Sequence, residues 1–201
     1  MKAVLTGDII KSRGTAPELW LYALKDLLGN YGKSPYDWEV FRGDSFQISV
    51  PPSQAFFVAF VLKAGMKQIK NVDVRIAIGI GVVDYQAEKI TESNGSAFVN
   101  SGTTFENLKK QTLAIKTPWQ DLDFTLNMAL DLATLTMDRW TEKSAQIMVM
   151  KLLNPDINQL EIAEKLKMKS QGNISEALKR AGYDEINQLL IYFETKIKEL
   201  C

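Results

Sequence analysis

Two aspartates follow a glycine at points where the sequence predicts that a strand ends. Gly7-Asp8 follows the short apolar segment 1–6, and Gly43-Asp44 lies inside the segment WEVFRGDSFQISV. Apolar and polar residues alternate beside that second pair, which predicts two strands joined by a tight hairpin turn. If the two strand ends converge, Asp8 and Asp44 form a candidate site for one cation. The alternative is that both are ordinary turn residues, because Asp and Gly are favoured in turns.

Composition narrows the chemistry that such a site could support. The chain of 201 residues contains no histidine, and its one cysteine is Cys201. Histidine-based acid–base catalysis, histidine-ligated zinc and disulfides within one chain are therefore excluded. The 24 Lys and Arg residues balance the 24 Asp and Glu residues, so no overall field attracts nucleic acid or anionic membranes.

The apolar segments do not predict a targeting or membrane-spanning element. Asp8 and Lys11 interrupt the N-terminal apolar run, and the longest apolar run, 55–62, is too short to cross a bilayer. We therefore expect a soluble cytoplasmic protein without a membrane partner.

The elements that would position Asp8 and Asp44 alternate between strands and helices. The expected order is strand, helix, two hairpin strands, helix, strand, helix and strand, ending at residue 117. This order predicts an α+β fold with an antiparallel-rich, ferredoxin- or palm-like sheet and helices on one face. The strand VDVRIAIGIGVV contains Gly79 and Gly81, which indicate a bulge or a surface that a ligand or a helix approaches closely.

Four short motifs in this region carry a resemblance to a known family. They are GDIIKSR after the first strand, RGDSF in the hairpin, RIAIGIG in a strand and GSAFVN at the start of a helix. In this order they resemble the class III nucleotidyl cyclase core, most closely the small cyclase-like domain of SatD-family bacterial proteins. The resemblance implies that Asp8 and Asp44 bind Mg²⁺ or Mn²⁺, which holds a nucleoside triphosphate. Hard oxygen ligands of this kind suit Mg²⁺.

The same resemblance predicts where a nucleotide or other phosphate ligand would bind. Backbone amides after Asp8 and nearby basic groups would face phosphate oxygens. The candidate residues are Ile9, Ile10, Lys11, Arg13, Arg42, Gly43 and Asn100. Two positions depart from the cyclase pattern: Thr104 stands where a catalytic arginine is expected, and Val40 stands where a lysine would read the base. The departures favour binding without efficient catalysis.

The chain changes character after Pro118, where only helical patterns follow. One helix is expected to begin at Asp121 or Asp123 and to reach Trp140, with apolar residues at near-heptad spacing. We interpret this helix as a connector and as a possible homodimer surface. The predicted divisions are therefore a cyclase-like domain (1–118), a connecting helix (119–142) and a helix-turn-helix domain (143–201).

The segment INQLEIAEKLKMKSQGNISEALKR resembles bacterial DNA-binding helix-turn-helix units. Ile162, Ala163 and Leu166 would form one face of the first helix, and Ile174 and Leu178 would form the inner face of the second. The candidate DNA-binding residues are Lys169, Ser170, Gln171, Asn173, Ser175, Lys179 and Arg180.

Charge balance keeps a second interpretation of this segment open. Residues 141–201 contain nine basic and nine acidic residues, so phosphate neutralisation by a monomer would be weak. The alternative is a helical dimerisation or protein-docking domain. The leading hypothesis is a DNA-binding transcriptional regulator with a ligand-sensing cyclase-like domain. A divergent metal-dependent cyclase or nucleotidyltransferase and a non-catalytic protein scaffold are the alternatives.

Overall fold

The computed structural model describes residues 1–11, 14–167 and 171–201. Within these ranges the fold is mixed α+β, with one five-stranded sheet and eight α-helices. The strands are β1 (Lys2–Ile10), β2 (Trp38–Phe41), β3 (Ser45–Val50), β4 (Asp73–Gly81) and β5 (Leu113–Lys116). The helices are α1 (Pro17–Gly29), α2 (Ala55–Lys67), α3 (Ser96–Asn107), α4 (Gln120–Met137), α5 (Glu142–Leu153), α6 (Gln159–Lys165), α7 (Gln171–Ala181) and α8 (Tyr183–Leu200).

The sheet is antiparallel except at one edge. Its order is β2-β3-β1-β4-β5, and only β5, beside β4, pairs in parallel. Alternate residues of β1 point to opposite faces, as the pleat of a strand requires. Leu5 and Ile9 belong to a large core with α1 and α2, whereas Val4 packs in a smaller cluster with Ala97 and Phe98 of α3.

Helices therefore cover both faces of the sheet, which differs from the predicted arrangement with helices on one face. The reason lies in Gly79 and Gly81 of β4. A Cβ atom at either position would overlap atoms of α3, among them the amide nitrogen of Ala97 and the carbonyl carbon of Asn100. The two glycines let the helix backbone lie directly on the strand. The prediction that a helix approaches the sheet at these glycines is therefore confirmed.

Strand β1 extends further than the sequence indicated. It was expected to end before Asp8, but Ile9 and Ile10 continue the pairing, opposite Val74 and Asp73 of β4. Ile9 is only 3% exposed, and its burial in the core explains the extension. Asp8 is consequently a strand residue, and its side chain projects from a sheet face rather than from a loop.

The C-terminal helices share the large core with the sheet. α5 packs against α2, and the Phe56 ring of α2 stacks on the Phe193 ring of α8 at a centroid distance of 3.8 Å. One cluster of buried apolar residues extends from β1 to Ile197. The predicted divisions at residues 118 and 142 remain sequence predictions.

Helix α4 has apolar residues on two opposite faces. Leu126, Leu130 and Met137 are fully buried in the large core. On the other side, four large side chains at near-heptad spacing are exposed, and we call them the α4 stripe: Phe124, Met128, Leu132 and Leu135. In the part of the chain that the structure covers, no helix combines the length and the apolar character needed to cross a membrane.

Candidate functional site

The carboxylate of Asp8 is held by an arginine of the neighbouring strand. Arg75 lies opposite Asp8 in the β1–β4 register, and its Nε and Nη2 donate to the two carboxylate oxygens at 3.0 and 2.6 Å. The hydrogen bonds to Asp8 raise the pKa of Arg75, so the guanidinium stays charged. Arg75 also lies over the Phe105 ring of α3, 5.4 Å from its centroid. This bidentate pair fixes the orientation of both side chains.

Asp44 lies beside the end of β1, in the turn between β2 and β3. Arg42 and Gly43 have φ angles of +52° and +90°, which the tight turn requires and which glycine adopts at little cost. The carbonyl oxygen of Asp44 accepts a hydrogen bond from the Ile9 amide at 3.1 Å, and Asp8 is paired with Ser45. The backbones of the two aspartates are therefore close, and the Asp44 carboxylate is exposed.

This arrangement bears directly on the predicted metal site. Both Asp8 oxygens already accept from Arg75, so a cation at Asp8 would share or replace the guanidinium. Among the described residues, no cluster of three or more His, Cys, Asp and Glu side chains is placed to hold a metal ion. One or two carboxylates are nevertheless typical of Mg²⁺ sites in which phosphate oxygens and water complete the shell.

The residues expected to bind phosphate have separate environments. The Ile9 amide is engaged by Asp44, and Ile10 is a half-buried residue at the end of β1. The Lys11 ammonium is 3.3 Å from the Asp73 carboxylate, although its side chain is 61% exposed. The Asn100 amide donates to the Ile80 carbonyl at 2.9 Å.

Arg42 and Gly43 are the predicted phosphate-binding residues that lie nearest Asp44 in the chain, and both are exposed in the turn. Arg13 lies outside the described residues. The described basic side chains at this end of β1 are therefore Lys11, Arg42 and Arg75, and Arg75 is already bound to Asp8.

A line of hydroxyl and amide groups leads away from Asp8 along the same sheet face. Gln47 Nε2 donates to Thr6 Oγ1 at 3.1 Å, and Thr6 Oγ1 is 3.1 Å from Ser101 Oγ of α3. The Ser101 hydroxyl in turn donates to the Phe98 carbonyl at 3.1 Å. Sequence reasoning missed this network. Its signal was the alternation in β3, where polar residues 45, 47 and 49 separate the apolar ones.

A buried cluster of charges also escaped the sequence analysis. Lys63 of α2 is fully buried, and its ammonium lies 2.8 Å from Asp73 and 2.6 Å from Asp138. Lys67 adds a contact of 3.4 Å to Asp73. Burial alone would raise the pKa of Asp73, but the neighbouring lysines outweigh it and lower that pKa. The available signal was a single lysine inside the otherwise apolar helix AFFVAFVLKAGM.

Burial has the opposite consequence for Lys67. Removal of its ammonium from water lowers the pKa of Lys67, and the attraction of Asp73 offsets only part of that effect. The cluster joins α2, β4 and the residue that follows α4, so its role in this structure is to connect elements.

Helices α6 and α7 present one buried and one exposed face, as the sequence predicted. Ile162, Ala163, Ile174 and Leu178 are buried. The exposed candidate DNA-binding residues are Asn173, Ser175, Lys179 and Arg180. Gln171 is the first residue of α7, and Lys169 and Ser170 lie outside the described residues. α5, α6 and α7 pack against one another, and α7 also packs against α8.

Basic residues surround the end of α6. A groove of about 520 Å³ is lined by Lys143, Lys165 and Lys167, together with residues of α5. The Lys143 ammonium donates to the Leu166 carbonyl at 3.2 Å, which ties the start of α5 to the end of α6. The segment 159–181 contains five basic and three acidic residues, so its net charge is +2 although residues 141–201 are neutral.

A cleft of about 740 Å³ separates the end of α1 from α5 and α8. Tyr31, Gln54 and Asn187 contribute hydrogen-bonding groups, and Phe57 and Leu190 contribute apolar surface. Burial raises the pKa of Tyr31 to about 12, so its hydroxyl stays protonated at neutral pH. No local pattern in the chain indicates this cleft, because its walls come from segments far apart in the sequence.

The site is thus a sheet end with two aspartates, an arginine bound to one of them, and a separate helical unit with a polar outer face. No family model, curated protein or solved structure matches the chain.

Proposed function

We propose that this chain is a DNA-binding regulator and that α7 is the element that enters the major groove. The main observation in its support is that α7 has one buried face and one exposed face. Ile174, Ala177 and Leu178 pack inward, whereas Asn173 and Ser175 are exposed near the start of the helix. Side chains at that end of a second helix are the ones that reach base edges in helix-turn-helix proteins. Asn and Ser are able to donate and accept hydrogen bonds there.

The distribution of charge supports this proposal. The basic residues of the helical half are concentrated around α6 and α7, with a local net charge of +2. Lys165, Lys167, Lys179 and Arg180 are all exposed and are suited to phosphate contacts. With few such contacts, we expect binding that is modest in affinity and sensitive to salt.

The basic residues near the end of α7 provide a direct test of DNA binding. The variant Lys179→Gln/Arg180→Gln should bind duplex DNA more weakly, and the slope of log K against log salt should fall by about 2, because each lost phosphate contact contributes roughly 0.9. Fluorescence anisotropy with a pool of random duplexes at several salt concentrations measures both quantities. The control is Lys25→Gln, an exposed lysine of α1.

The variant Asn173→Ala separates sequence recognition from phosphate binding. We expect it to weaken binding to a duplex selected for high affinity more than binding to a random duplex, since base contacts carry the specificity. Parent protein that shows no binding to either duplex, or α7 variants that bind as the parent does, would contradict the proposal and favour a protein-docking role for the helical half.

We further propose that the α+β half senses a phosphate-bearing ligand, such as a nucleotide, with Mg²⁺ or Mn²⁺. The supporting observation is that the backbones of Asp8 and Asp44 lie side by side where β1 meets the turn before β3, with Arg42 exposed in the same turn as Asp44. The order of the motifs supports a relation to SatD-type cyclase-like domains.

Catalysis is not part of the proposal, since the two cyclase positions carry other side chains. Val40 is a half-buried residue of β2, and Thr104 is a half-buried residue of α3. Neither supplies the positive charge that stabilises a phosphoryl transition state.

A further inference from the structure

The α4 stripe is an apolar surface on a helix that is already buried on its other side. Phe124, Met128, Leu132 and Leu135 are 75%, 51%, 63% and 60% exposed. Their spacing places them on one face, opposite the buried Leu126 and Leu130. Four large apolar side chains in one row form a contiguous patch of the kind that marks an interaction site.

We propose that the α4 stripe binds the α4 stripe of a second copy of this chain, with the two helices antiparallel. The exposed positions are arranged almost symmetrically about residue 130. Met128 and Leu132 lie two residues on either side, and Phe124 and Leu135 lie six before and five after. A two-fold axis that runs between the two helices, at the level of residue 130, therefore places Met128 of one copy against Leu132 of the other. An isologous interface requires such self-complementarity.

Charges at the ends of the stripe obey the same symmetry. Asp121 and Arg139 each lie nine residues from residue 130, and both are exposed. Asp121 lies in the first turn of α4, and Arg139 lies two residues beyond its end, where its amide donates to the Thr136 carbonyl at 3.0 Å. In the antiparallel pair, Asp121 of each copy faces Arg139 of the other, so two opposite-charge contacts close the ends. A parallel pair would instead bring Asp121 to Asp121 and Arg139 to Arg139, which is unfavourable.

The surface on both sides of the stripe is shaped to receive a second helix. A groove of about 580 Å³ lies between α4 and β5, with Ile115 and Met128 in its lining. A second groove of about 480 Å³ lies between α4 and α8, with Ala133 and Ile186 in its lining. The stripe is thus a ridge between two grooves, and packed helices place the ridges of one helix in the grooves of the other.

The proposed dimer stands independently of DNA binding, but it adds a consequence to that proposal. A two-fold axis perpendicular to α4 keeps equivalent sides of the two helices together. The groove on the α8 side also contains Lys179 and Arg180 of α7. Both α7 helices would then lie on one side of the dimer, which is the placement needed for a palindromic DNA site. This consequence rests on the proposed function.

Sedimentation equilibrium without DNA tests the dimer. The parent should sediment at twice the chain mass of 22.6 kDa at micromolar concentration. Leu132→Glu should raise the dimer dissociation constant on the order of 100-fold, because both copies lose a buried leucine and bury a carboxylate. The matched control is Leu19→Glu, since Leu19 of α1 is 62% exposed and Leu132 is 63% exposed. Circular dichroism confirms that both variants keep their helix content.

A charge exchange tests the antiparallel orientation. Asp121→Arg alone should weaken the dimer, because each end then carries two arginines, and the double variant Asp121→Arg/Arg139→Asp should restore it. Three results would each overturn the proposal. They are a parent that is monomeric at about 100 µM, a Leu132→Glu variant that dimerises like the Leu19→Glu control, and a double variant that dimerises as weakly as Asp121→Arg.

Discussion

At the scale of single residues, Arg75 reduces the contribution that Asp8 can make to metal binding. A carboxylate that accepts two hydrogen bonds from a guanidinium is already neutralised, so a divalent cation gains less there than at an isolated carboxylate. Asp44 differs, because its carboxylate is exposed and its one described partner is the neighbouring Ser45 hydroxyl at 3.4 Å. In the proposed sensor, Asp44 is therefore the aspartate that contributes most to metal binding.

The variant Asp44→Asn tests this assignment. It should abolish any metal-dependent stabilisation by nucleotides while leaving the melting temperature of the unliganded protein unchanged, because the side chain is exposed and lies in a turn. The measurement is a thermal-shift panel of nucleoside mono-, di- and triphosphates with and without Mn²⁺. The control is Asp26→Asn, an exposed aspartate of α1.

Mass spectrometry of the same samples distinguishes sensing from catalysis. A metal-dependent shift without a new product agrees with the sensor, and a cyclic or linear product would establish the enzyme instead. If no ligand of the panel raised the melting temperature of the parent, or if ligands raised that of Asp44→Asn equally, Asp44 would be a turn residue only.

At the scale of elements, the contact between β4 and α3 depends on Gly79. The variant Gly79→Ala should destabilise the protein by about 1–3 kcal/mol, because the new methyl group would overlap the backbone of Ala97 and Ser101, which has no room to move. The matched control is Gly102→Ala in α3. A Cβ atom at Gly102 meets nothing within 4 Å, so this change should stabilise the helix by about 0.5–1 kcal/mol.

Urea denaturation of the two variants gives both free energies of unfolding. Equal effects of the two substitutions would show that α3 does not lie on Gly79 as described. Because Gly79 is far from Asp44 in the chain and in the sheet, nucleotide binding serves as an independent readout.

The elements were more predictable from the sequence than the contacts between them. The hairpin around Gly43, the strand containing Gly79 and the inward residues Ile174 and Leu178 were all expected from local patterns, and the structure has them. The pattern at Gly79 could not choose between a ligand and a helix, because periodicity reveals which face a residue occupies but not what covers it. The same limit applies to Lys63, whose two aspartate partners are 10 and 75 residues away in the chain.

Part of the candidate site was also within reach of the sequence. The closeness of Asp8 and Asp44 was expected from the same Gly-Asp motif at two predicted strand ends. The pairing of β1 with β3 does bring them together, although β1 continues past Asp8 to Ile10. The bond from Arg75 to Asp8 depends on the register of β1 against β4, and no turn links those two strands to fix that register in advance.

At the scale of the whole molecule, the buried charges around Asp73 connect parts of the chain that lie far apart. Lys63 of α2 contacts both Asp73 at the start of β4 and Asp138 at the end of α4. Thr112, just before β5, donates its hydroxyl to Asp138 at 2.8 Å. A shift of α4 relative to the sheet would therefore separate buried charges, which is costly.

The variant Asp73→Asn should destabilise the protein by about 3–5 kcal/mol at neutral pH, because Lys63 and Lys67 would lose a buried counter-charge. The pKa of Asp73 is lowered in the folded state, so its contribution is complete above the unfolded pKa of about 3.9 and is lost as the pH falls through the folded value.

Chemical denaturation at about pH 7 and about pH 3 tests this expectation, with Asp26→Asn as the exposed control. The difference in stability between the parent and Asp73→Asn should shrink at the lower pH. A difference that is independent of pH would show that the cost comes from altered packing and not from the lost charge.

The stacked rings of Phe56 and Phe193 have a consequence for the synthesis of the chain. Phe193 leaves the ribosome 137 residues after Phe56, which corresponds to about 7–27 s at 5–20 residues per second. Throughout that interval one apolar surface of α2 lacks its final partner. The large core, which includes Phe193 and Ile197, is therefore completed only after α8 has been synthesised.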